Sequence, residues 1–152
     1  MKYFVGVDLS LTGTGLVVLD REFEILHKIL VSTSPSINIE ARILNIKDSI
    51  IKYFNKDSVI YLEGLSFGSR GQSMLELAGL HYLIRAYLYQ QNYYFKPVPP
   101  TTIKKFITGK GNCKKELMLL KVFKRFGIEF DDNNLCDAYS LARYATEQYK
   151  DE

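Results

Sequence analysis

The chain has 152 residues, 47% of them hydrophobic, which suits one domain with a single sizeable core and excludes a disordered polypeptide. No apolar run approaches the ~20 residues that span a bilayer, and Met1 to Val5 enters a strand-like run with no small-residue cleavage site behind it, so a cytoplasmic protein without a leader is expected. The net charge of +3 says little as a total, but Lys104, Lys105, Lys110, Lys114, Lys115, Lys121, Lys124 and Arg125 crowd one stretch opposed only by Glu116, a distribution that fits a polyanionic partner or a solvated helix face.

Strands open the chain. Tyr3 to Asp8 is dominated by β-branched and aromatic residues and predicts a first strand. The turn formers Ser10 to Gly15 lead to a second at Leu16 to Leu19, and Asp20-Arg21-Glu22 predicts a turn into a third, Phe23 to Val31. Three strands joined by short polar turns imply an antiparallel meander. Ser34-Pro35-Ser36 is expected to open a helix with Ile39, Ile43, Ile46, Ile50 and Phe54 on one face. Val59 to Leu62 has the profile of a buried central strand, ending at Glu63. A loop with Gly64, Gly68 and Gly71 precedes a long helix from Ser73 to Gln90, and Tyr93 to Val98 is a last strand stopped by Pro99-Pro100. Three helices follow, Thr101 to Ile107, Lys114 to Phe126 closed by Gly127, and Asn134 to Gln148 behind the N-capping run Asp131-Asp132-Asn133. The order βββαβαβααα predicts an α/β fold: a five-stranded mixed sheet, three strands antiparallel and the rest parallel, flanked by helices on both faces, in one domain over 1–152. Cys113 and Cys136 have neither metal-ligand spacing nor the numbers for a disulfide framework.

Acidic residues carry the candidate chemistry. Asp8 ends the first strand, Glu63 ends the fourth, and Asp137 is expected in the first turn of the last helix. Singly, each has a bland explanation as a turn residue, a solvated strand end or a helix-dipole partner. Together, beside an apolar sheet, they need compensation, and carboxylates suit hard divalent ions such as Mg²⁺ or Mn²⁺. Two ions ~3.5–4 Å apart would serve phosphodiester hydrolysis. Phe67, in a glycine-containing loop beside Arg70, either stacks at an unpaired base or folds back onto the core, and Arg70 is a phosphate contact or a solvated side chain. The long helix carries Met74, Leu77, Leu80, Ile84 and Leu88 and is apolar beyond one stripe, an excess that suits a two-fold dimer surface; His81 on it reads as an interface or core histidine.

An ordered set of motifs resembles the RuvC-type Holliday-junction resolvases, in a short, phage-encoded form. Gly6-Val7-Asp8-Leu9-Ser10 with Gly13 and Gly15 is similar to that family's first-strand signature, and Leu62-Glu63 with Phe67 to its second acidic motif. Pro100 to Gly111, followed by Lys114-Lys115, resembles the family's lysine-bearing segment, and Asp132 through Asp137-Ala138 to Ala142 its C-terminal acidic motif. The resemblance implies an RNase H-like fold, a homodimer, and metal-dependent cleavage of four-way junctions and other branched DNA in recombination or phage-type DNA processing. It implies three metal-binding acids, Asp8, Glu63 and Asp137, and two lysines near the scissile phosphate, Lys104 and Lys115. The chain departs from the family at the fourth acid. Asn134 stands three residues before Asp137, where the family usually has an acid, and either Asn134 by position or Asp132 by charge fills that role. Lys105, Lys110 and Lys114 are the expected backbone contacts. Competing readings are a branched-DNA-binding protein without metal chemistry, another RNase H-like nuclease acting on RNA–DNA hybrids, and an actin-like ATPase, for which the chain is short.

Overall fold

The computed structural model describes residues 1–66 and 70–149. Phe67, proposed above as a base-stacking residue, lies outside them.

Strands β1 (Tyr3–Asp8), β2 (Thr14–Leu19) and β3 (Ile25–Val31) form the antiparallel meander. Helix α1 (Ile39–Ile51) then crosses to β4 (Ser58–Glu63), which lies parallel to β1, and α2 (Gln72–Gln90) crosses to β5 (Tyr94–Val98), parallel to β4. The five strands take the order β3-β2-β1-β4-β5, so β1 and β4 are central. Helices α3 (Pro100–Thr108), α4 (Lys115–Phe126) and α5 (Asn133–Gln148) complete the chain.

The alternation of side chains along a strand divides the interior in two. Val5, Val7, Leu16 and Ile60 point to one face and are covered by Ile46 and Ile50 of α1 and Leu80, Ile84 and Leu88 of α2. Phe4, Val17, Leu19 and Tyr61 point to the other, under α5 and the flanking α3 and α4. Both faces of the central strands are thus buried, which is why β2 and β4 read as unbroken apolar runs.

Several element starts differ from expectation, β2 beginning two residues early at Thr14, and two late starts have a local reason. Asp20 Oδ1 accepts the N–H groups of Glu22 and Glu24 at 2.9 Å each, and Phe23 takes a left-handed φ of 69°, so the turn consumes Phe23 and β3 begins at Ile25. At α1, Ser34 and Ser36 bond each other through their hydroxyls, and Asn38 is the cap, its Oδ1 accepting from Glu40 N and Ala41 N. Gly109 and Gly127 end α3 and α4 in the left-handed region, at φ 82° and 71°, each donating its N–H to the carbonyl four residues back. Both cysteines are free thiols. No helix among the described residues is long and apolar enough to cross a membrane.

Candidate active site at the carboxyl edge of the sheet

Asp8 and Glu63 are the last residues of the two central, parallel strands, whose register sets Val7 opposite Leu62. The third carboxylate arrives through an unusually close helix–strand contact. A Cβ on Gly6 would stand 1.8 Å from the Ala138 carbonyl oxygen, and one on Gly15 would stand 2.4 Å from that of Asn134. Only glycine lets the α5 backbone rest on β1 and β2 in this way, and the contact sets Asp137 over the end of β1. Asp137 is the fifth residue of α5, in its second turn and not the first, so helix-dipole compensation does not account for it. Carboxylate oxygens of Asp8, Glu63 and Asp137 all lie within 4.8 Å of one another.

Such crowding is unfavourable while the carboxylates are all charged. Burial, then the charge of Glu63 and a hydrogen bond with it, hold the Asp8 carboxyl far above the usual carboxylate range; Asp8 is 8% exposed. Burial, followed by the charge of Glu63, pushes Asp137 up to about 7, against the opposing pull of Lys104 and Lys115. The donor set is all oxygen, partly buried and short of positive charge, which fits a hard divalent ion.

The sequence-predicted basic residues separate into two groups. Lys104, on α3, and Lys115, the first residue of α4, are close enough to pull Asp137 downward, and Lys115 acts on Asp8 as well. Lys105, Lys110, Lys114 and Arg70 are exposed outside that field. Asp132 is the N-cap of α5, its Oδ1 accepting the Leu135 N–H at 2.9 Å, while the Asn134 amide leans on the β1–β2 loop, its Nδ2 being 3.0 Å from where a Gly13 Cβ would be.

One residue at the site escaped the sequence reading, Arg42, and one that it singled out, His81, also lines the site. His81 is 3% exposed, as a core histidine would be, and it also lines a cleft of about 230 Å³ together with Asp8 and Glu63. Burial, with Arg85 nearby, lowers its pKa to about 4, so the wall it forms is neutral. Arg42 is a buried guanidinium, 7% exposed, donating from Nε to Thr33 Oγ1 at 3.0 Å and from Nη2 to the Leu11 carbonyl at 3.1 Å. It ties the loop after Asp8 to the end of β3. The only sequence signal for it was an arginine interrupting an isoleucine-rich helix.

A mixed sheet in this order, with acids at the ends of its two central strands and at a helix crossing them, defines an RNase H-like fold. No protein-family model matches the chain. It is 31% identical over 97 residues to the crossover junction endodeoxyribonuclease RuvC of Sulfurovum sp. (strain NBC37-1), a match covering 62% of this chain and 60% of that protein. The chain therefore spans about three fifths of the length of that curated relative. Its fold is that of Thermus thermophilus RuvC in complex with a Holliday junction substrate, with a TM-score of 0.80, 19% identity, and 96% and 92% of the two chains covered. The Fowlpox virus resolvase in its Holliday junction complex gives 0.65 at 13% identity, covering 95% and 97%. The chain is thus similar to a RuvC in sequence over 97 residues and shares the RuvC fold over nearly its whole length.

Proposed function

We propose that the protein is a metal-dependent endonuclease that nicks four-way DNA junctions and related branched DNA. The observation that carries this reading is the cluster of Asp8, Glu63 and Asp137 within 4.8 Å of one another, in a RuvC-like fold and in the field of two lysines. The three carboxylates would hold the metal, Mg²⁺ with Mn²⁺ as substitute, as two ions. Divalent ions supply Lewis acidity toward a phosphodiester at such a cluster. Asn134 serves as the fourth ligand in preference to Asp132, because the Asp132 carboxylate is already committed to capping α5.

The remaining residues position and neutralise the substrate. Lys104 and Lys115 meet non-bridging oxygens of the scissile phosphate and offset charge that develops as it is attacked. Lys105, Lys110, Lys114 and Arg70 follow the DNA backbone through exposed cationic heads. A second copy of the chain packs on the outer stripe of α2, where Leu75, Tyr82 and Tyr89 recur every seven residues at 69%, 58% and 79% exposure, interleaved with Gly79 and Ala86. A two-fold dimer presents one site to each of two symmetry-related strands.

Cleavage of a labelled synthetic four-way junction in Mg²⁺ and in Mn²⁺, with Asp8→Asn as control and a gel shift in EDTA, tests the reading. Paired symmetric nicks that vanish in Asp8→Asn while binding persists are expected. The neutral Asn134 favours one alternative, a branched-DNA-binding protein without catalysis. Tight binding with no nick in either metal would establish that alternative.

A further inference from the structure

A second hollow adjoins the catalytic cleft. It measures about 650 Å³ and lies between the β1–β2 loop, the segment leading into α1 and the first turns of α2. Leu77 belongs to the walls of both, and Ser10, on the rim of the hollow, stands two residues beyond Asp8. Its size and its mixture of apolar wall with a few polar groups match a site for one small organic group, not a duplex-wide groove.

The polar groups are held in place. Arg42 anchors the floor through the hydrogen bonds described above, leaving a fixed positive charge beneath the β1–β2 loop. Ser10 Oγ accepts the N–H groups of Thr12 and Gly13, both at 3.3 Å, which shapes the rim. Across from them, Gln72 Nε2 donates to Glu76 Oε1 at 3.2 Å and orients a carboxylate that retains acceptor capacity. Glu76 is the one carboxylate among the described lining residues, and a carboxylate oxygen on a nucleotide is satisfied by an N–H-bearing base edge and repelled by phosphate. Of the four bases, guanine alone offers two adjacent N–H donors, N1–H and the 2-amino group, on its Watson–Crick edge. That edge is free only when the base is unpaired, as at a branch point.

We propose that this hollow receives one unpaired nucleotide flanking the scissile phosphate, guanine by preference, with the Glu76 carboxylate accepting from N1–H and the 2-amino group. The proposal rests on the nuclease reading and adds a base preference to it. The apolar wall, Leu11 and Leu77, covers the ring faces, and the rim hydroxyls of Ser10 and Thr12 face the sugar-phosphate.

The test uses four-way junctions carrying guanine, inosine or adenine at the positions flanking the cleaved bond. Inosine keeps N1–H and lacks the 2-amino group. Affinity is read by fluorescence anisotropy in EDTA, and cleavage rate in Mg²⁺ and Mn²⁺. Guanine is expected to outperform inosine about tenfold in at least one readout, and Glu76→Gln, which keeps size and fold, brings that ratio to near one. Equal values for guanine and inosine, or a preference that survives Glu76→Gln, overturn the pocket even where junctions are cut normally. Guanine-dependent binding without cleavage in either metal upholds the pocket and sinks the nuclease reading alone.

Discussion

Asp8→Asn should make the metal-free protein more stable while abolishing its metal binding. In the metal-free fold, burial and the neighbouring Glu63 keep the Asp8 carboxyl protonated at neutral pH, whereas in the unfolded chain it titrates near 3.8. Folding at pH 7 must then load a proton onto a group the unfolded chain leaves ionised. At 1.36 kcal/mol per pH unit over roughly three units this costs about 4 kcal/mol. The folded state binds more protons than the unfolded one above the unfolded pKa. Stability is therefore fully present below about pH 4 and declines as pH rises toward the folded pKa. Asparagine is neutral in both states, and its amide can donate to Glu63 where the protonated acid does. Relaxation and water entry reduce the gain, so ~2–4 kcal/mol is expected, or roughly 5–15 °C in Tm for a chain of this size. Thermal unfolding followed by circular dichroism in EDTA, at pH 4, 6 and 8, measures the difference between variant and wild type, in which other titrations cancel. The gap should open from near zero at the lowest pH, and saturating Mg²⁺ should reverse the order at pH 8. An Asp8→Asn protein that melts at or below wild type at pH 8 in EDTA would refute the account of a proton-bearing, electrostatically frustrated cluster.

Three further outcomes are expected. Gly6→Ala places a methyl where the Ala138 carbonyl stands, so α5 must lift; we expect a loss of more than ~2 kcal/mol in urea unfolding and, in whatever folds, Mn²⁺ affinity lowered at least tenfold by calorimetry. Lys115→Ala removes a charge acting on both Asp8 and Asp137, and junction cleavage should fall ~10²–10³-fold at nearly unchanged affinity, whereas a triple Lys105/Lys110/Lys114→Ala variant should weaken binding and flatten its salt dependence. Asn134→Asp adds a fourth carboxylate to the cluster's helix, so metal affinity should rise by calorimetry while the metal-free protein melts lower at pH 8; unchanged affinity would remove Asn134 from the ligand set.

The order and type of the elements were legible because apolar runs and turn residues alternate cleanly along the chain, and Asp8 and Glu63 were legible because each ends such a run. Boundaries failed where side-chain hydrogen bonds choose the turn. Asp20 and Asn38 each capture two backbone N–H groups and move the next element by two or more residues. The convergence of Asp137 on the strand acids could be anticipated from motif resemblance but not from local pattern, since it depends on two glycines accepting a helix backbone from more than a hundred residues away. Arg42 was missed for the same reason, and His81 was read as a core or interface histidine without its place beside the acids. An arginine inside an apolar helix and a histidine on an apolar stripe acquire their roles only when the β1–β2 loop and the Asp8 end of the sheet come to lie beside them.

The seating of α5 on Gly6 and Gly15 also governs when the chemistry becomes available during synthesis. Asp8 and Glu63 are joined within the strand pairing, but the third carboxylate is separated from Asp8 by most of the polypeptide, and α5 makes its most extensive packing with the first two strands. Contacts between such distant segments close late, after the intervening elements have formed. A nascent or broken chain that stops anywhere between Glu63 and Asp137 keeps two acids and none of the helix that brings the third, so it is unarmed. On the proposed nuclease function, the cutting edge is assembled only once α5 has been made and seated.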